Sequence, residues 1–107
     1  MVKVQRGNGN VYADIGGVDA EDMLIKAQLA NKIAQIIAGR GWTQMQAASV
    51  LGMTQPKLSG LLRGQFRGIS ESRMLDCLAR LGRDVRIVVG AETAQLEGRV
   101  SVVFAEL

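Results

Sequence analysis

Three short stretches of this sequence share one punctuation: a serine or threonine opens each and a glycine closes it. They run from Thr43 to Gly52, from Thr54 to Gly64 and from Ser70 to Gly82. A hydroxyl at the start of a helix accepts a hydrogen bond from a backbone N–H that has no intrahelical partner. Glycine ends a helix because it reaches left-handed backbone conformations without a Cβ clash. Between these marks the apolar residues fall at helical spacing: Ala47, Ala48 and Leu51, then Leu58, Leu61 and Leu62, then Met74, Leu75, Leu78 and Leu81. The pattern therefore predicts three short helices in close succession, too short to be stable except by packing on something larger.

The larger element lies upstream. Ile25, Leu29, Ile33, Ile36 and Ile37 form one helical stripe, with Gly39 and Gly41 ending it and Arg40 near its C-terminus. Asp19 is the expected N-cap, and Glu21 and Asp22 then fall in the first turn, where the helix dipole favours negative charge. After Gly82 the period changes to two, with Val85, Ile87 and Val89 alternating with Arg86 and Val88. A weaker alternation follows at Val100, Val102 and Phe104. These are read as one or two C-terminal strands. Pairing of the two within one chain is possible, although the connection carries no tight-turn signal. Pairing of the first strand with its own copy across a two-fold axis satisfies its backbone directly, so Val85, Ile87 and Val89 are expected to serve dimerisation.

Aromatic residues make up only 4% of the 107 residues, so the core must be aliphatic. The expected organisation is an arm over 1–18, rich in Gly and Asn, a helical domain over 19–83, and a strand segment with its tail over 84–107. The net charge of +3 is concentrated in the middle: 39–86 carries eight basic and three acidic residues, and 39–70 has no acidic residue at all. Such a block favours an acidic partner.

Several function classes are disfavoured. The sequence has no histidine, its one cysteine has no partner suited to activating it, and no cluster has metal-ligand spacing. Gly7-Asn8-Gly9 lacks the third glycine and the preceding strand of a nucleotide-binding loop. Asp19, Glu21 and Asp22 read better as a cap and first turn than as catalytic acids. The expectation is therefore no enzyme, no metal and no cofactor. A lone cysteine and the lack of an apolar membrane-spanning run also point to the cytoplasm.

Function is concentrated in Thr43 to Gly64, two capped helices joined by a tight turn at Gly52-Met53. With Leu58 and Leu61 facing inward, Gln55, Lys57, Ser59, Gly60 and Arg63 are expected nearer the surface. An amide, a hydroxyl, small residues and two cations on one helix face suit the major groove of DNA. Thr43, Gln44, Ala48, Leu51, Gly52, Thr54, Gln55, Ser59 and Gly64 resemble the helix-turn-helix pattern of the phage-repressor-like Xre/Cro family. Gln55-Pro56-Lys57-x-Ser59-x-Leu61-Leu62-Arg63-Gly64 and Leu81-Gly82-Arg83-Asp84-Val85-x-Ile87-Val88-Val89 resemble its HigA-like antitoxin branch.

The resemblance implies a mainly α, phage-repressor-like domain of four to five helices, followed by C-terminal strands used in dimerisation. It also implies a repressor that binds double-stranded operator DNA as a homodimer, with a RelE/HigB-type toxin as a further partner. A stand-alone phage-type regulator and a protein-binding module are the alternatives. The residues implied at DNA are Thr43, Gln44, Thr54, Gln55, Pro56, Lys57, Ser59, Gly60, Arg63 and Arg67. Among them Gln44 would bond a phosphate and Gln55 a base edge. Pro56 and Gly60 depart from the commoner polar residues of the family, which leaves more of the specificity to Gln55, Lys57 and DNA shape. Outside the motif, Arg73, Arg80 and Arg83 are expected on a solvated helix face, Cys77 in packing, and Trp42 as a plug between the first two helices.

Overall fold

A computed structural model describes the backbone of residues 16–105 and the side chains of residues 20–105. Four helices occur in the order α1 (Gly16–Arg40), α2 (Gln44–Leu51), α3 (Gln55–Leu62) and α4 (Glu71–Arg80). Helix α1 is the floor on which α3 and α4 lie, and α2 rests on both α3 and α4.

All five residues of the upstream stripe, Ile25, Leu29, Ile33, Ile36 and Ile37, are buried. They meet Ala47, Ala48 and Leu51 of α2, Leu58 and Leu61 of α3, and Met74, Cys77 and Leu78 of α4, with Leu81 just beyond its end. Three short helices thus bury every long apolar side chain they can turn inward, and this burial stabilises elements that propensity alone would not. Phe66 and Ile69, in the connection between α3 and α4, complete the core. No helical period marks them in the sequence, because they come from a loop.

The structure moves the start of α1 to Gly16, so Asp19 is an interior residue of the helix and not its N-cap. Residues 16–18 of the expected arm are therefore helical, and the rest of the arm, 1–15, lies outside the described residues. Glycine costs about 1 kcal/mol relative to alanine in a helix, which a long helix already nucleated by its packed stripe can absorb.

Beyond Gly82 the chain runs to residue 105 without a helix or a strand ladder. The segments around 85–89 and 100–104 do not pair with each other. Val102 packs at the edge of the core, and Lys32 Nζ of α1 lies 5.0 Å from the centre of the Phe104 ring. This contact brings the tail back to α1. Ile87, Val88 and Val89 are exposed at 79%, 81% and 90%. A strand exists only with a ladder partner, and the described residues supply none. Among the described residues, no helix is long and apolar enough to cross a membrane.

Candidate nucleic-acid interface

Helices α2 and α3 are built with the same opening. Thr43 Oγ1 accepts from the Gln46 N–H at 3.1 Å, while Gln46 Oε1 accepts from the Thr43 N–H at 2.9 Å, a reciprocal capping box. Thr54 Oγ1 accepts from the Lys57 N–H at 3.3 Å, and Pro56 sits in the first turn, where a missing N–H leaves nothing unpaired. The two threonines therefore act first as caps that fix where each helix begins. Gln46 is a functional residue beyond those expected, and threonine followed three residues later by glutamine is its signal in the sequence.

The turn between the helices depends on Gly52, whose φ of 67° lies in the left-handed region. Its N–H and that of Met53 bond back to the carbonyls of Ala48 and Ser49, closing the last turn of α2. A Cβ at residue 52 would stand 3.0 Å from Arg80 Nη1, so a guanidinium from α4 covers the turn.

Leu58 and Leu61 anchor α3 in the core, and this orientation decides what its other residues present. Gln55, Pro56 and Lys57 are exposed at its N-terminal end, as is Gln44 at the N-terminal end of α2. Neither helix has an acidic residue in its first turn, so both positive dipole ends are uncompensated. Ser59 is half-buried and receives a hydrogen bond from Arg63 Nη1, whose other terminal nitrogen reaches Gln65 Oε1 at 3.2 Å. Arg63 is thus exposed but folded along its own helix end. Arg67 is exposed on the following loop, where its carbonyl accepts from Lys26 Nζ of α1 at 2.9 Å.

Gly60 does not lie at the surface, where the inward-facing leucines of α3 predict it. It is buried, its carbonyl accepts from the Gln65 N–H at 2.8 Å, and a Cβ there would meet that residue's backbone oxygen at 3.6 Å. Its small size serves the fold-back of the loop after α3.

Arg73 departs from expectation, because it braces the motif, while Arg80 stays exposed on α4 as expected. Arg73 Nη2 donates to the carbonyls of Leu51 and Gly52 at 3.0 and 2.9 Å. Asp76 Oδ2 accepts from Arg73 Nη1 and Arg80 Nε, both at 2.9 Å. At the other end of α2, Arg40 Nη2 donates to Leu81 O at 2.5 Å and its guanidinium lies 5.0 Å from the Trp42 ring centre, so Trp42 sits half-buried at the junction of α1 and α2. Cys77 is fully buried in the core, and desolvation pushes its thiol pKa up despite the opposing charges of Arg73 and Arg80.

Two capped helices about a left-handed glycine, the second anchored by leucines and exposing polar and basic residues at its N-terminal end, define a helix-turn-helix DNA-binding transcriptional regulator. The family described as a helix-turn-helix domain matches residues 11–90, and the chain belongs to it. A solved chain titled as an XRE-family transcriptional regulator is similar over 81% of this chain and 99% of its own length, with 35% identity and a TM-score of 0.74. Among curated proteins none matches.

Proposed function

We propose that this protein represses transcription by binding an inverted-repeat operator as a homodimer, with α3 in the major groove. The observation that carries this reading is the exposure of Gln55, Pro56 and Lys57 at the start of α3 within a stretch, 39–70, that has no acidic residue. Gln55 reads a base edge, where a glutamine pairs bidentately with adenine. Gln44 and the N-terminal N–H groups of α2 take a phosphate, since uncompensated helix N-termini attract anions. Lys57, Arg63 and Arg67 contribute further phosphate contacts, Arg63 by exchanging its internal partners for DNA. Ser59 and Gly60 support α3 from within and do not contact bases.

Dimerisation uses the segment containing Val85, Ile87 and Val89. It is apolar, exposed and without a ladder partner among the described residues, which is the condition a two-fold copy relieves. The dimer sets two α3 helices about 34–36 Å apart, matching successive major grooves. The likeness of 55–64 and 81–89 to the HigA-like branch further supports an antitoxin that represses its own operon and holds a RelE/HigB-type toxin. A small basic protein encoded beside this gene that co-purifies with the chain is the expected finding; if no neighbouring product binds, a stand-alone regulator takes its place.

Salt dependence tests the DNA reading directly. A dimer neutralising roughly six phosphates gives a slope of log affinity against log salt of about −5. A slope near zero removes DNA as the main ligand. Gln55→Ala should lower specific binding by about 1–3 kcal/mol and leave non-specific binding nearly unchanged. An equal loss in both assigns Gln55 to positioning rather than reading.

A further inference from the structure

At the C-terminal end of α2 the carbonyls of Leu51 and of the cap residue Gly52 have no partner in the helix itself. The turn's own hydrogen bonds do not serve them, because the N–H groups of Gly52 and Met53 go back to Ala48 and Ser49. Arg73, arriving from α4, donates one terminal nitrogen to both carbonyls at 3.0 and 2.9 Å and the other to Asp76 Oδ2 at 2.9 Å. The same carboxylate oxygen orients Arg80, whose guanidinium covers Gly52. A planar guanidinium fits this task because its donors form a rigid fork.

We propose that Arg73 is a positioning residue for DNA recognition: oriented by Asp76, it fixes the Leu51 and Gly52 carbonyls and so sets the angle at which α3 leaves α2. Only Met53 separates Gly52 from Thr54, the N-cap of α3. A shift of the Gly52 carbonyl is therefore transmitted to Gln55 and Lys57 with little chain to absorb it. Leu51 and Leu58, on either side of the turn, are fully buried, so the core keeps the helices folded while Arg73 sets their relative pose. The inference rests on the reading of α3 as the element that contacts bases.

The test uses the full chain and duplexes that the wild type enriches from a random-sequence pool, with unselected duplex as the non-specific competitor. Arg73→Met, which keeps the aliphatic stem, should lower specific affinity about tenfold at a temperature where it remains folded, with non-specific affinity little changed. Arg73→Lys keeps the charge without the fork and should recover only part of the loss. Ile36→Val weakens the core away from the turn and should leave the ratio of specific to non-specific binding intact. In the free proteins, amide exchange at Met53 and Leu58 should accelerate in Arg73→Met while Leu29 and Ile33 stay protected. An unchanged specificity ratio, full recovery by lysine, or an equal loss in Ile36→Val overturns the proposal. Failure of the wild type to enrich any duplex removes the reading of α3, and the inference with it. Enrichment with unchanged exchange at Met53 removes the inference alone.

Discussion

Replacing Ile87 with proline should convert the protein to monomers, and the exposure of the segment sets the size of the effect. Ile87 is 79% exposed in the single chain and Val89 90%. Full burial of such a side chain contributes about 1.5–3 kcal/mol, so the exposed part of Ile87 is worth about 2 kcal/mol per copy, or about 4 kcal/mol across a symmetric pair. That corresponds to roughly a thousandfold in the dimer dissociation constant, before the ladder donor that proline removes from each copy is counted. The monomer should be almost untouched, because Ile87 lies in no helix and makes no core contact. Sedimentation velocity across the micromolar range should show the wild type as a dimer and Ile87→Pro as a monomer with the same far-UV circular dichroism. Ile87→Asn, which leaves the backbone donor in place, should weaken association less than proline. A proline variant that still sediments as a dimer refutes a strand-mediated interface, and helix packing then becomes the explanation. A variant that loses helix content refutes the premise that the segment is uninvolved in the monomer core.

Gly52→Ala places a Cβ on a left-handed backbone and against Arg80 Nη1, and should cost about 1–2 kcal/mol in urea unfolding. Gly52→Asn should cost less, since asparagine tolerates that conformation, and equal losses would point to the Arg80 contact and not to φ. Cys77 should react negligibly with a thiol reagent at about pH 8 in the native state and fully in denaturant, its thiolate being disfavoured by burial. Because the folded thiol ionises at higher pH than the unfolded one, its contribution to stability holds below the free thiol's range and is lost as pH rises through the folded value. A native protein labelled as fast as the denatured one would show that the core around α4 opens readily.

The local code of the sequence carried far. Thr43, Thr54 and Ser70 all cap the helices they were expected to open, because a cap is an interaction between a residue and the backbone two or three positions on. The stripes of all four helices face one core for a similar reason: periodicity places them on one side wherever the helix is set. Gln55 and Lys57 are readable as a surface because Leu58 and Leu61 can only face inward. The exact start of α1 was less readable, since a helix end depends on small differences that packing further along can outweigh.

What tertiary structure decided are the contacts between residues far apart in the chain, which no local pattern encodes. Gly60 looks like a surface residue until Gln65 folds back over it. Arg73 and Arg80 sit on α4 as ordinary charges at helical spacing, and only the placement of α4 beside the end of α2 gives Arg73 the carbonyls of Leu51 and Gly52 to hold. The alternation at 85–89 specifies a segment able to form a strand, but a strand is completed by its partner, and the described residues offer none. Sequence determined which helices form and which faces they bury; packing determined which polar groups meet across them, because a hydrogen bond between distant residues exists only once the core has brought their helices together.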